Sequence, residues 1–198
     1  METQLILASA SPRRRELLAA RGFRFEVDPS NLTETPRPGE PPDVFAQRIA
    51  AEKAGDVARR HSDTCVLAAD TVVVVDGTLF GKPADRGDAR RMLQALSGRT
   101  HRVLTAVALV EPNGAVEELL VESQVEFRPL TAAEIEEYLE SGEPFDKAGA
   151  YAVQGLARKF VVRVRGSHSN VVGLPMEAVT DLLQRHLPSA ADTAPAMP

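Results

Sequence analysis

The sequence predicts an α/β fold, strands and helices alternating along the chain with part of the sheet antiparallel. Three observations predict it. Apolar runs of strand length alternate with helical apolar stripes along residues 5–187. Two long strand-like runs, 100–110 and 115–127, are joined by Pro112-Asn113-Gly114, an Asn-Gly hairpin signal that calls for an antiparallel pair. No linker, repeat or low-complexity block divides residues 1–187, which are therefore expected to form a single domain.

The elements follow in order. Leu5-Ile6-Leu7 reads as a short buried strand, and Ser11 and Pro12 as the N-cap and first position of a helix over 12–21 that closes at Gly22. Phe23 to Val27 alternates as a strand, and five prolines between Asp28 and Pro42 then deny any regular element. A helix over 42–61 places Phe45, Ala46, Ile49, Ala50 and Val57 on one face. A buried strand over 65–75 turns at Asp76-Gly77 into 78–80, and Arg86 to Leu96 is an amphipathic helix. Beyond the central hairpin, Thr131 and Glu134 form a capping box that opens another helix. A last strand over 160–164, a polar loop over 166–170 and a closing helix over 174–187 complete the domain, and residues 188–198 read as a disordered tail.

Composition narrows the function. Of 198 residues 43% are hydrophobic and 26% charged, the balance of an ordinary soluble globular protein. No apolar run approaches the ~20 residues that span a bilayer, and Met1-Glu2-Thr3-Gln4 lacks the basic start of a signal peptide, so a cytoplasmic protein without a membrane partner is expected. A net charge of −5 argues against nucleic-acid binding. The single cysteine, Cys65, lies in an apolar run and reads as a buried structural thiol.

Against this background a few residues are out of place. Arg13, Arg14 and Arg15 crowd a helix start whose dipole disfavours cations, where Ser9 and Ser11 add hydroxyls. Free amides, hydroxyls and guanidinium forks at one helix N-terminus suit a phosphate, although a solvated basic turn fits the pattern too. Lys53 interrupts the apolar stripe of its helix, either snorkelling to water or aimed into a site. Asp70 interrupts the run Cys65 to Val75, where a carboxylate must meet a cleft, a cation or a metal, or else mark a kink. Lys82 is held at the turn Gly81-Lys82-Pro83, and Lys147 lies in a stretch of small residues that lets a ligand approach. Gln154 offers a donor and an acceptor, the pair that reads a nucleobase edge. Cations at 53, 82 and 147 beside the arginines suit a polyphosphate, and two carboxylates from among those at 34, 70 and 146 suit a magnesium ion. That set points to phosphoanhydride hydrolysis, and the lack of a GxxxxGK[ST] sequence excludes a P-loop.

The motifs Ser9-Ala10-Ser11-Pro12-Arg13-Arg14, Glu34, Glu52-Lys53-Ala54, Ala69-Asp70-Thr71, Gly81-Lys82-Pro83, Leu96-Ser97-Gly98, Asp146-Lys147-Ala148-Gly149-Ala150-Tyr151, Gln154-Gly155 and Val172-Gly173-Leu174-Pro175 occur in one order along the chain. In them the sequence resembles the Maf family of nucleoside triphosphate pyrophosphatases. The resemblance implies an inosine-triphosphatase-like (Maf/Ham1) fold, an elongated mixed β-sheet flanked by helices, in two lobes with a central cleft. It implies a divalent cation, Mg2+ or Mn2+, as cofactor and hydrolysis of a nucleoside triphosphate to the monophosphate and pyrophosphate. Asp70 would be the proton acceptor and, with Glu34, a metal ligand; Ser9, Ser11, Arg14, Lys53, Lys82 and Lys147 would bind phosphate. Arg13, Thr71 and Gln154 match positions tied to substrate choice, and their identities resemble the subgroup acting on dTTP and UTP. The resemblance also leaves room for a homodimer. It connects the family with control of cell division and septum formation, so a nucleotide-binding regulator without essential turnover is the competing expectation.

Overall fold

Asp70 owes its position to a break along one edge of a long strand inside the sheet. The structure, a computed structural model, describes residues 5–187; the tail expected over 188–198 lies outside the described residues. Strand β1 (Leu5–Leu7) is flanked in parallel by β2 (Glu26–Val27) and by the long β3 (Cys65–Val75). Strand β4 (Thr78–Phe80) folds back on β3, and β5 (Thr100–Val110), β6 (Val116–Phe127) and β7 (Val161–Arg165) continue the sheet antiparallel. Among the described residues this makes a seven-stranded mixed sheet in the order β2-β1-β3-β5-β6-β7, with β4 on β3.

On one edge β3 pairs with β5 from Val66 to Val74. On the other, β1 pairs only Cys65 to Leu67 and β4 only Val73 to Val75. Residues 68–72 are thus bordered by a strand on one side alone. The chain leaving β1 turns away there into helix α1 (Pro12–Ala20), and the open edge becomes the floor of a cleft.

Successive strand side chains point to opposite faces. Val66, Ala68, Val72 and Val74 of β3 pack with Leu104, Ala106 and Ala108 of β5 under helix α2 (Pro42–Ala58), and Asp70 shares that face. On the opposite face are two apolar clusters. Cys65, Leu67 and Ala69 join Val107, Leu109 and helix α6 (Met176–His186). Val73, Val75 and Val103 join helices α3 (Arg86–Leu96) and α4 (Ala132–Glu140) with Phe127, Tyr138 and Phe160. Thr71 and Thr105, paired in register, lie between the two clusters.

Several boundaries differ from expectation for physical reasons. Phe23 and Phe25 pack against the β1 cluster as the alternation predicts, but β1 is three residues long and strand pairing with it covers Glu26 and Val27. The polar loop expected over 166–170 instead contains helix α5 (His168–Val172), started by the Ser167 hydroxyl, which accepts from the Asn170 N–H. Helix α2 stops at Ala58, and the small-residue stretch forms short 3-10 turns, Glu143–Asp146 and Ala148–Ala150. Gly149 adopts φ 68° there, and a Cβ on it would meet Val73 Cγ2 at 2.8 Å. Its N–H donates to Gly81 O at 3.0 Å, which seats the Lys147 turn against the Lys82 turn.

Candidate active site

The open edge of β3 borders a cavity of about 840 Å³ lined by Ser9, Ser11, Arg13, Arg14, Glu34, Lys53, Asp70, Thr71, Lys82 and Lys147, among others. Ten of the expected site residues are thereby gathered from six separate stretches of sequence. Gln154 is the exception: it is exposed and does not line the cavity.

The centre of the site is an ion triad. Lys53 Nζ donates to Asp70 Oδ1 at 2.8 Å and lies 2.7 Å from Glu34 Oε1. The mid-stripe lysine of α2 therefore neither snorkels away nor stands alone; its ammonium reaches across to the carboxylate that interrupts β3. Asp70 and Lys53 are 4% and 8% exposed, whereas the Glu34 side chain is 37% exposed on the proline-rich loop. Burial raises the Asp70 carboxyl above its ordinary value, the charges of Lys53 and Arg14 oppose that rise, and Glu34 adds to it. For Glu34, burial also acts to raise the value, but the Lys53 hydrogen bond and the charges of Lys53, Lys82 and Arg14 outweigh it and leave the group low. Two carboxylates with pKa values displaced in opposite directions suit a base beside a permanent anion.

Arg14 does more than line the cavity. Its Nε donates to Gly173 O at 2.8 Å, Nη1 to Ala69 O at 2.8 Å and Ser9 Oγ at 3.2 Å, and Nη2 to Thr71 Oγ1 at 3.0 Å. The Ala69 carbonyl belongs to the bare edge of β3, so a guanidinium N–H stands in for the missing strand. Carbonyl dipoles thus help offset the charge of an arginine in this first turn. Burial lowers the Arg14 pKa, and the charges of Asp70 and Glu34 counter it. Ser9 Oγ also accepts from the Ser11 N–H at 3.3 Å, and among the described residues nothing takes its own proton, which remains to donate to a ligand.

Of the remaining cations, Arg13 stands 3.8 Å from Asp146 and Lys82 is exposed at the rim. Lys147 Nζ donates to Glu143 O at 2.8 Å and is tied into its own turn. Among the described residues no three His, Cys, Asp or Glu side chains form a metal cage. Glu34 and Asp70 offer hard oxygen donors, the set that suits a magnesium-type ion completing its shell with substrate phosphates and water.

The groups behind Arg14 and Thr71 were not expected from the sequence. Thr105 and Asn170, both fully buried, and the carbonyls of Ala69 and Gly173 complete the surroundings of Arg14 and Thr71. A signal existed for Thr105, a hydroxyl inside the apolar run Val103 to Val110. Nothing local marked the carbonyls. No helix among the described residues is long and apolar enough to cross a membrane.

Comparison with known proteins identifies the family. A family model described as Maf-like protein matches residues 4–186. The chain is 52% identical over 185 residues to a protein of Myxococcus xanthus named dTTP/UTP pyrophosphatase, with 93% of each chain covered. It is 50% identical over 182 residues to a protein of the same name from Halalkalibacterium halodurans, covering 92% of this chain and 95% of that one. Among solved structures, the Ham1 protein of Staphylococcus aureus is similar in fold, with a TM-score of 0.52 at 12% identity and coverage of 91% and 98%.

Proposed function

We propose, from the premise that this chain belongs to the Maf-like protein family, that it is a nucleoside triphosphate pyrophosphatase acting on dTTP and UTP. The names carried by relatives about half identical over nine-tenths of the chain support the substrate class. The observation that carries the chemistry is the buried Lys53–Asp70 pair facing a cleft rimmed by cations.

In the reaction a water oxygen bonds to the α-phosphorus, the bond from that phosphorus to the bridging oxygen breaks, and the nucleoside monophosphate and pyrophosphate leave. Asp70 accepts the proton of the attacking water, a role its upward-displaced pKa favours by bringing its basicity closer to neutrality. Lys53 orients the carboxylate through Oδ1 and holds Glu34 beside it. Ser9, Ser11 and the Arg13 N–H at the start of α1 hold phosphate oxygens, with the Arg13 side chain, Lys82 and Lys147 supplying charge at the rim. Arg14 keeps this constellation in register with β3 and has one guanidinium N–H left for the ligand. Glu34 and Asp70 would hold a divalent cation, Mg2+ or Mn2+, which when bound offsets charge on the phosphoryl oxygens. Arg13 and Thr71, lining the cleft, are assigned to base selection; Gln154 lies outside the cleft.

The test is to incubate the purified protein with each common nucleoside triphosphate and Mg2+ and to identify the products. Pyrophosphate and monophosphate, fastest from dTTP and UTP, are expected. Orthophosphate with diphosphate would mean a plain phosphatase, and binding without release would favour the regulatory module.

A further inference from the structure

Between the two apolar clusters on the α6 side of the sheet runs a chain of hydrogen bonds with a fixed direction. Arg14 Nη2 lies 3.0 Å from Thr71 Oγ1, which lies 3.0 Å from Thr105 Oγ1, which lies 3.0 Å from the backbone oxygen of Asn170. The first group can only donate and the last can only accept, and each hydroxyl between them has one proton. Only one arrangement fills all three contacts: Thr71 donates to Thr105, and Thr105 donates to Asn170 O. The reverse would leave two bare oxygens of Thr105 and Asn170 facing each other at 3.0 Å in a site with no exposure to water. The far end is braced as well. Asn170 Nδ2 donates to Val103 O at 3.1 Å and to Ser123 Oγ at 3.0 Å, and Ser123 Oγ donates to Ser167 O at 3.0 Å.

Thr71 thus lines the cleft with its proton turned inward and one lone pair left for a ligand. Such an oxygen repels a phosphate oxygen, which also only accepts, and attracts an N–H. The imide N–H of thymine and uracil is that donor, and cytosine carries an unprotonated nitrogen at the same ring position. We propose that Thr105, with the Asn170 carbonyl behind it, is a specificity-positioning residue that locks Thr71 as an acceptor for the imide N–H and so selects thymine and uracil over cytosine. The inference rests on the pyrimidine reading proposed above and adds the residue that sets its polarity.

The test uses kcat/KM for dTTP, dCTP and the triphosphate of N3-methylthymidine. With the unaltered protein, methylation of N3 should cost about tenfold or more relative to dTTP, because it removes the donor and leaves the acceptor unpaired. Thr105→Val frees the Thr71 proton to turn toward the cleft, and the dTTP-to-dCTP preference should fall about tenfold, with Thr105→Ser restoring it. A Thr105→Val protein that melts with the parent and keeps its preference overturns the proposal. So does an N3-methyl substrate turned over within about twofold of dTTP, a comparison that needs no variant to fold. If the parent releases no pyrophosphate, the enzymatic reading fails on its own. The dissociation constants of the same three nucleotides, measured by calorimetry, then decide the inference by the same ratios.

Discussion

Lys53 Nζ stands 2.8 Å from Asp70 Oδ1, with the two side chains 10% and 6% exposed. One residue interrupts the apolar stripe of a helix and the other the apolar run of a strand; each would be costly alone, and together they offset one another and set the basicity of the carboxylate.

Replacing Lys53 by Met should therefore move the acid limb of the pH–rate profile upward. Asp70 must be unprotonated to take a proton from water, burial already raises its pKa, and Lys53 is the main group holding it down. Without the ammonium, the carboxylate either stays charged at a cost of about 3–5 kcal/mol or takes up a proton more readily. A profile of kcat/KM against pH with an unmoved acid limb contradicts the pairing.

Divalent cation removal should stop pyrophosphate release. Glu34→Gln should raise the Mg2+ concentration for half-maximal rate by about tenfold or more while sparing the melting temperature, because Glu34 sits on an exposed loop. Unchanged metal dependence would remove Glu34 from the ligand set.

Acid should weaken the fold through His101, 2% exposed, against Phe127 and bonded to Tyr151 Oη at 2.8 Å. Burial lowers its pKa from 6.5 to about 4. Above pH 6.5 the ring is neutral in both folded and unfolded chains, and its contribution is intact. As the pH falls toward 4 only the unfolded chain gains the proton, and stability of roughly 3 kcal/mol is lost across that window. Urea unfolding at pH 7.5 and 4.5 should show a smaller difference for His101→Gln than for the parent; equal differences would exclude this source.

Gly149→Ala should destabilise the protein by about 1–3 kcal/mol, since the new Cβ meets Val73 at 2.8 Å on a backbone with φ 68°. The Lys147 turn would lift from the Lys82 turn. An unchanged melting temperature would mean that the two turns are not packed as described.

What could be read in advance was what violated a local rule. Asp70, Lys53 and the arginines announced themselves because a charge in an apolar run, or a cation at the positive end of a helix, is unfavourable within a few residues' view. The Asn113-Gly114 hairpin and the Thr131 capping box were equally local and were found as expected. The open edge of β3 was not visible, because it arises from where two other strands happen to end. The Thr71–Thr105 contact depends on strand register across 34 positions, and the Gly173 carbonyl that seats Arg14 lies 159 positions away. Helix α5 opens with three polar residues, His168, Ser169 and Asn170, and at five residues it is too short to show a periodic stripe. Gln154 had the right amide chemistry for a base, yet its turn leaves it exposed outside the cavity.

The most direct measurement is turnover and dTTP affinity of Asp70→Asn, which keeps the side chain's size and removes its basicity. The account predicts a fall in pyrophosphate release of about 10²–10⁴-fold with dTTP still bound, as read by calorimetry. Turnover near that of the parent would contradict it.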